Sequence, residues 1–273
     1  AATHKENVGV RIKDLVVIEH EKTLQEASVN KHLTRASELF SWLKRTQRGF
    51  THNPAEGLAI KKTTQEHEDR SEFTQDQIAM IFHGIPIFQG TRSCSKAAHY
   101  WAPLIALYTG MRIEEICQLD TSDLYKINSL WVFDINDVGE KKIKNRASKR
   151  IIPVHSMLIS LGLLEYRELV SSSGYNKLFP TLIPCKTNGY SHNPSKWFSR
   201  QKAKLGLKDS KEVFHSFRHT VSNALKRFDV PAEMADQITG HSNAHLSEGR
   251  KRYAKPYDPE AVERRPKLTH LRG

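Results

Sequence analysis

The chain has 273 residues, of which 42 are Lys or Arg and 30 are Asp or Glu, so its formal charge is +12. This length accommodates a small and a large domain, each with its own core. The positive charge predicts an acidic partner, and composition leaves nucleic acid, an anionic membrane and a polyanionic protein open. Residues 1–70 carry 12 basic against 10 acidic residues, so the larger C-terminal part holds most of the excess.

The cysteines and the apolar runs exclude several classes of protein. Cys94, Cys117 and Cys185 are widely separated and form no C-x-x-C pair, which argues against a disulfide framework or a cysteine zinc site. No apolar run reaches the roughly 18 residues of a membrane-spanning helix, and residues 1–25 are too charged for a signal peptide. We therefore expect a cytoplasmic protein with no membrane partner.

Residues 1–70 are predicted to form a helical domain and a linker. A helix is predicted to follow Ser28, a good N-cap, and to end near Gly49. The apolar residues at helical spacing are Val29, Leu33, Ala36, Leu39, Phe40 and Leu43. A turn is expected at 53–57, where the sequence is N-P-A-E-G. Residues 61–70 have no large apolar side chain, so we place the domain boundary near residue 70.

The second domain, residues 71–273, is predicted to be mainly helical with a small antiparallel sheet. It opens with a capping box at 74–77, and an apolar helix over 97–108 stops at Gly110 before a short helix. Three strands are expected at 124–127, 130–135 and 150–154. Further helices are expected at 156–170, 193–205, 215–228 and 231–238, and a final polar helix carries Tyr253.

Two arginines suit chemistry on a phosphodiester. Cleavage needs neutralised non-bridging oxygens, a proton for the leaving oxygen and an in-line nucleophile. Arg112 lies where a helix breaks at Gly110, and Arg218 lies one helical turn after His215. A guanidinium stays charged and donates hydrogen bonds in a fork, which suits the first task. The alternatives are an ordinary pair between Arg112 and Glu115, and a structural ion pair at Arg218.

The histidines have alternative interpretations as metal ligands, helix caps or catalytic residues. His215 and His219 have the spacing of two zinc ligands, but Ser216 replaces the glutamate of H-E-x-x-H, so we expect no metal site. His241 follows Gly240, which ends a predicted helix. There it either caps the helix carbonyls or takes part in catalysis.

The tyrosine nucleophile has two candidates. Cations near a phenol favour the phenolate, which a tyrosine nucleophile needs. Tyr257, which follows Pro256, is the poorer candidate beside Tyr253. The cations around Tyr253 are Arg250, Lys251, Arg252 and Lys255.

A basic segment at 141–150 holds six cations in ten residues, between two predicted strands. A basic β-turn of this kind reaches into a DNA groove. The alternative is a solvated hairpin tip. A lysine near other cations has a lowered pKa and is able to act as a general acid.

Five motifs, in this order, resemble the tyrosine recombinase family and most of all phage-type integrases. They are T-G-M-R-I-E-E-I, K-N-R-A-S-K-R-I-I-P-V, H-S-F-R-H-T, T-G-H-S and R-Y-A-K-P, within residues 73–260. V-N-K-H-L-T-R-A-S-E-L-F-S-W and N-P-A-E-G-L resemble the preceding core-binding domain. The resemblance implies a helical core-binding domain in 1–70, which is short enough that we expect it to be incomplete, and an α+β catalytic domain in 71–273.

The implied activity is site-specific recombination, through a 3′-phosphotyrosyl intermediate and without a metal or other cofactor. The implied role is integration or excision of a mobile element. The implied partners are double-stranded DNA, three further copies of the chain in a tetramer at synapsis, and accessory DNA-bending proteins. A type IB topoisomerase and a DNA-binding regulator that never cleaves are the competing hypotheses.

The resemblance also assigns roles to the phosphate-binding residues. It implies that Arg112 and Arg218 clamp the scissile phosphate, with Glu115 as the acidic residue that orients its neighbours. It implies that Lys144 protonates the leaving 5′ oxygen.

The remaining roles concern the nucleophile, proton transfer and DNA contact. The resemblance implies that His215 transfers a proton, that His241 donates a hydrogen bond to the phosphate, and that Tyr253 is the nucleophile. The cations assigned to DNA contact are Lys31, Arg35, Lys44, Arg45, Lys142, Arg146 and Lys149.

Overall fold

The computed structural model describes residues 24–61, 71–86, 96–145, 148–208, 210–240 and 258–259. The chain divides into two compact units, Ala1–Asp69 and Arg70–Gly273. The described residues are mostly helical and include a small antiparallel sheet, which confirms the predicted fold class. Within the described parts of the chain, every helix is too short or too polar to span a membrane.

The described part of the first unit is helix α1, Glu26–Thr46, followed by a loop that packs on it. The prediction of Ser28 as the N-cap was wrong. The N-cap is Gln25, whose carbonyl accepts hydrogen bonds from the backbone N–H of Ser28 and Val29, so Ser28 lies inside the first turn. The helix ends three residues before the predicted Gly49, which has a φ of 98° in the turn that follows.

Polar contacts hold this loop against α1. The Asn53 side chain donates to Ser37 Oγ at 2.8 Å and to Ser41 Oγ at 3.0 Å. None of the residues of α1 is buried against the described residues. Leu39, one of the apolar residues at helical spacing, is 54% exposed.

The second unit begins as its sequence predicts, with a capping box. Thr74 Oγ1 accepts from the Gln77 backbone N–H, and Gln77 Oε1 accepts from the Thr74 N–H. Helix α2, Gln75–Gly84, follows, with Ile78 and Ile81 buried.

Helix α3, Ala97–Thr109, is the centre of the main core. It ends at Gly110, whose φ of 66° lies in the left-handed region that glycine adopts readily. A Cβ at Gly110 would lie 3.1 Å from Val221, so this helix end also leaves little room for a side chain. The short helix α4, Ile113–Cys117, starts at once, with Arg112 as its N-cap.

The three predicted strands are confirmed. They are β1 Leu124–Ile127, β2 Leu130–Ile135 and β3 Arg150–Pro153, and they form an antiparallel sheet in the order β1-β2-β3. Phe133 pairs with Leu124 on one side and with Ile152 on the other, and all three side chains are buried. The residues between β2 and β3 form the long connection that carries the basic segment.

The predicted helix over 156–170 was wrong as a single element. The structure has α5 Ser156–Ser160 and α6 Leu163–Ser172, separated at Gly162, whose φ is 90°. Glycine adopts this conformation without the Cβ clash that other residues suffer, so the chain turns there. The remaining helices lie within one residue of their predicted bounds: α7 His192–Lys204, α8 Ser216–Arg227 and α9 Ala232–Thr239.

Aromatic packing fixes the start of α8. Phe217 is fully buried, and its ring centroid lies 4.7 Å from that of Phe73 and 5.4 Å from that of Phe198. Phe214 packs edge-on against Phe217 at 5.5 Å. These contacts hold both sides of the first turn of α8, and therefore set where Arg218 lies.

Candidate active site

Arg112 is held at the break between α3 and α4. Its Nη1 donates to Glu115 Oε1 at 2.6 Å and to Ser148 Oγ at 3.3 Å, and its Nη2 donates to the Gly240 carbonyl at 3.1 Å. Its side chain is 17% exposed. The predicted pair with Glu115 is therefore present, and the same guanidinium also joins the end of α9.

Arg218 is buried beside it and has an unused donor. Its side chain is among the largest that are fully buried, and Nη1 donates to the Gly110 carbonyl at 2.9 Å. Nη2 is buried without a hydrogen-bond partner among the residues that the structure describes. Burial first, and then the charges of Arg112 and Arg150, lower the pKa of Arg218 to about 9. A buried cation with an unpaired donor is unfavourable, so this position favours an anionic ligand.

His215 is the N-cap of α8 and lies next to these arginines. Its ring lies 4.9 Å from that of His219. His215 is exposed at the surface, yet its pKa is lowered to about 4. The largest cause is partial desolvation, and the next are the positive charges of His219, Arg218, Arg112 and Lys144. The imidazole is therefore neutral near pH 7 and able to accept a proton.

Lys144 is exposed in the connection between β2 and β3. Its charge acts on His215, so the structure brings it to the same region as Arg112 and Arg218. The next residue, Asn145, accepts a hydrogen bond from Ser148 Oγ at 2.9 Å, and that hydroxyl also accepts from Arg112. This chain of contacts links the segment that carries Lys144 to the arginine.

Glu115 lies between two arginines and is 3% exposed. Its Oε1 is 2.6 Å from Arg112 Nη1, and its Oε2 is 2.8 Å from Arg150 Nη2. Burial by itself raises the pKa of Glu115, but Arg150 and then Arg112 outweigh it and hold the pKa below its ordinary value. The carboxylate stays charged and orients both guanidiniums.

Arg150 is the site residue that sequence reasoning missed. It is 8% exposed at the start of β3, and its Nε donates to the Ile238 carbonyl at 2.9 Å. A signal was available, because Arg150 shares the inward face of the predicted strand with Ile152. An arginine on the buried face of a strand requires a partner, although the strand pattern alone does not identify Glu115.

The cations assigned to DNA contact have different surroundings. Lys149 is 2.5 Å from Asp137, which lowers the pKa of that carboxyl. Lys141, also in the basic segment, is buried and forms ion pairs with Asp123 at 2.7 Å and Asp120 at 3.0 Å. For Lys141, both predictions for the segment, a DNA-contacting turn and a solvated hairpin tip, were therefore wrong. The assigned residues that are exposed at the surface are Lys31, Arg35, Lys44, Arg45, Lys142 and Lys149.

Four predicted residues, His241, Tyr253, the alternative Tyr257 and Arg146, lie outside the described residues. The segment that leads to His241 is described as far as Gly240, which ends α9 with a φ of 66°, as predicted. The described residues contain no cluster of three or more His, Cys, Asp or Glu side chains that could hold a metal ion.

Residues 71–258 match the sequence profile of the phage integrase family. The chain belongs to this family. No curated protein sequence is a significant match to it. The family match spans the break at Arg112, the β2–β3 connection and α8, so the three parts of the site lie inside it.

Solved structures with this fold are tyrosine recombinases and integrases. XerH site-specific recombinase, bound to palindromic difH substrate in a post-cleavage complex, has a TM-score of 0.55 and 16% identity over 87% of this chain and 73% of its own. The Tn1549 transposon integrase, in complex with transposon right end DNA, has a TM-score of 0.56 and 20% identity over 89% and 80%. A lambda integrase dimer bound to a COC′ core site has a TM-score of 0.54 and 18% identity over 85% and 76%.

Proposed function

We propose that the chain carries out site-specific DNA recombination, cleaving and rejoining duplex strands through a 3′-phosphotyrosyl intermediate. The observation that carries the mechanism is the buried Nη2 of Arg218, which lies near Arg112 and has no hydrogen-bond partner within the described parts of the chain. Membership of the phage integrase family and the DNA-bound state of XerH and the Tn1549 integrase support the same substrate.

The scissile phosphate binds between Arg112 and Arg218. Among the described residues, the site holds three arginines, Arg112, Arg150 and Arg218, and one buried carboxylate, Glu115, which contacts Arg112 and Arg150. A phosphate supplies the missing negative charge and an acceptor for Arg218 Nη2. The donors are fixed before the substrate arrives, so they stabilise the charge that develops in the transition state.

The proton steps balance with three groups. The oxygen of Tyr253 attacks phosphorus as the bond from phosphorus to the 5′ oxygen breaks, and Lys144 gives its proton to that oxygen. The neutral imidazole of His215 accepts the proton of the tyrosine, in keeping with its pKa of about 4. His241 donates a hydrogen bond to the phosphate, and Tyr257 is the alternative nucleophile.

The domain roles and the assembly belong to the same proposal. Residues 1–70 act as a core-binding domain and linker, and residues 71–273 as the catalytic domain. Four copies act on two DNA sites, with accessory DNA-bending proteins, to integrate or excise a mobile element in the cytoplasm. A lambda integrase tetramer bound to a Holliday junction has a similar fold, with a TM-score of 0.52, which supports this arrangement. The cations on α1 and the exposed lysines of the β2–β3 connection contact the DNA backbone.

A nicked suicide duplex tests the proposal directly. It carries a candidate attachment site taken from the sequence that flanks the gene, and the product to look for is a covalent protein–DNA adduct. We expect an adduct from the unaltered chain and from Tyr257→Phe, and none from Tyr253→Phe. An adduct that survives Tyr253→Phe contradicts the assignment of the nucleophile.

The same experiment separates the competing functions. Binding without any adduct favours a regulator that never cleaves. Relaxation of plasmids that lack the site, at catalytic protein concentrations, favours a topoisomerase.

A further inference from the structure

Arg150 joins three parts of the site that are far apart in sequence. Its Nη2 and Nη1 donate to the carboxylate of Glu115 on α4, at 2.8 and 3.3 Å. Nη1 also donates to the Ser148 carbonyl at 2.7 Å, and Nε donates to the Ile238 carbonyl on α9 at 2.9 Å. One rigid guanidinium therefore bonds to α4, to the β2–β3 connection and to the helix that leads to His241.

The residues that Arg150 contacts also contact Arg112, one of the two proposed phosphate-binding residues. Glu115 accepts from Arg112, and Ser148 Oγ accepts from the same guanidinium. Arg112 also donates to the Gly240 carbonyl, two residues beyond the Ile238 carbonyl that Arg150 holds. Each segment bound by Arg150 is thus also a segment that sets the position of Arg112.

Gly240 packs directly on the guanidinium of Arg150. A Cβ at Gly240 would lie 2.6 Å from Arg150 Nη1 and 2.8 Å from its Cζ, and the φ of 66° disfavours a side chain as well. Arg150 is buried and held by its hydrogen bonds, so this close approach is a fixed contact between β3 and the end of α9.

We propose that Arg150 is a positioning residue, which holds Glu115 and the end of α9 so that Arg112 meets the scissile phosphate at a fixed place. The proposal rests on the proposed function, and it gives Arg150 no contact with DNA. A displacement of about 1 Å in such a site costs on the order of 100-fold in rate. The effect of losing Arg150 is therefore on the chemical step rather than on DNA affinity.

Lys141 offers a matched control for this role. It is 8% exposed, like Arg150, and its amino group bonds to the buried carboxylate of Asp123. Its other ion-pair partner is Asp120, and none of these three residues bonds to Arg112 or Arg218. A purely structural effect of weakening a buried ion pair should therefore lower stability at either position, without a specific loss of rate.

The experiment measures single-turnover adduct formation on the nicked suicide duplex at saturating DNA, the Kd for the same DNA, and thermal melting. The variants are Arg150→Lys, Arg112→Lys, their double variant, and Lys141→Met as the control. We expect Arg150→Lys to lower the rate by about 100-fold with an unchanged Kd. We expect Lys141→Met to lower the melting temperature and to leave the rate per folded molecule unchanged.

The double variant distinguishes positioning from general destabilisation. If Arg150 acts through Arg112, the double variant cleaves no more slowly than Arg112→Lys alone, because the two residues form one unit. If Arg150→Lys does not fold, Gly240→Ala gives a second test, since it displaces the guanidinium without removing it and should lower the rate in the same way.

The outcomes separate this inference from the function on which it rests. Cleavage by Arg150→Lys at the unaltered rate, or losses that multiply in the double variant, overturn the positioning role while the recombinase function stands. The absence of an adduct from the unaltered chain overturns both.

Discussion

Two clusters of buried charge in the second unit are built on the same β2–β3 connection, and they differ in their charge balance. The hairpin cluster pairs two lysines with two carboxylates: Asp120, Asp123, Lys141 and Lys177. The described part of the clamp cluster holds three arginines and one buried carboxylate, which contacts two of them: Arg112, Glu115, Arg150 and Arg218. Asp236 also acts on Arg218, as a smaller compensating charge than Glu115.

The difference separates a structural cluster from a ligand site. In the hairpin cluster, Lys141 Nζ lies within 3.0 Å of both carboxylates, and burial of Asp120 is outweighed by its two lysines, so its pKa is lowered. In the clamp cluster Arg218 keeps an unpaired donor and a lowered pKa. The first cluster stabilises the fold, whereas the second retains an excess of charge that an anion relieves.

The largest expected effect is at Arg218. We expect Arg218→Met to lower the rate of adduct formation by about 1,000-fold, since a fixed donor to the transition state is lost. Because the charge of Arg218 is disfavoured in the folded protein, the melting temperature should not fall. Adduct kinetics and thermal melting of the same preparation check both parts, and a clear fall in melting temperature would contradict the ligand-site interpretation.

The reverse pattern is expected at Lys141. Lys141→Met leaves the buried carboxylate of Asp123 without its cation, which costs on the order of 3 kcal/mol of the free energy of unfolding. Urea denaturation measures this loss. Equal stability of the variant and the unaltered chain would remove the contrast between the clusters.

A smaller effect on rate is expected for Lys144→Ala, about 100-fold, because the leaving oxygen loses its acid. A duplex with sulfur in place of the leaving 5′ oxygen needs no proton to leave. That substrate should restore cleavage by Lys144→Ala and should not restore Arg218→Met. Rescue of both variants, or of neither, would show that Lys144 is not the acid.

The smallest predicted effect is a pH dependence of stability. The pKa of His215 is lowered from 6.5 to about 4 by partial desolvation and by His219, Arg218, Arg112 and Lys144. Because the folded protein favours the neutral ring, His215 contributes to the free energy of unfolding. This contribution is complete above pH 6.5 and is lost as the pH falls towards 4. His99, stacked on Trp197 at 4.4 Å, has its pKa lowered to about 4 by burial, Lys96 and Arg200, and it loses stability in the same range.

Urea denaturation at pH 7 and pH 5 measures the loss, and His215→Gln separates the two histidines. The difference in the free energy of unfolding between pH 7 and pH 5 should be smaller in that variant. Part of the difference should remain, because His99 still contributes. A difference of the same size in His215→Gln would show that the positive charge of the clamp cluster does not act on His215.

The sequence predicted the elements well where local pattern decides them. The three short β-type runs, the capping box at Thr74 and the glycine at the end of α3 are local signals, and each is confirmed. The N-cap at Ser28 was predicted wrongly, and the helix break at Gly162 was not predicted. Both depend on where the chain turns, and several residues in each stretch are compatible with a turn.

The site was predictable in part for a related reason. Arg112, Lys144, His215 and Arg218 stand in motifs, and the structure brings their charges together. Arg150 was missed because its partners, Glu115 and the Ile238 carbonyl, are 35 and 88 residues away. Contacts over such separations arise from tertiary packing, and no local pattern records them. That Lys141, in the basic segment, is paired and buried could not be read from charge alone either.

The most direct test of the account changes the charge of the phosphate itself. A methylphosphonate at the scissile position is neutral, so it removes the charge that Arg218 is proposed to neutralise. We predict that Arg218→Met forms the covalent adduct faster on methylphosphonate than on phosphate, and that the unaltered chain shows no such gain. An Arg218→Met variant that is equally slow on both substrates would contradict the claim that the buried arginines act on the phosphate charge.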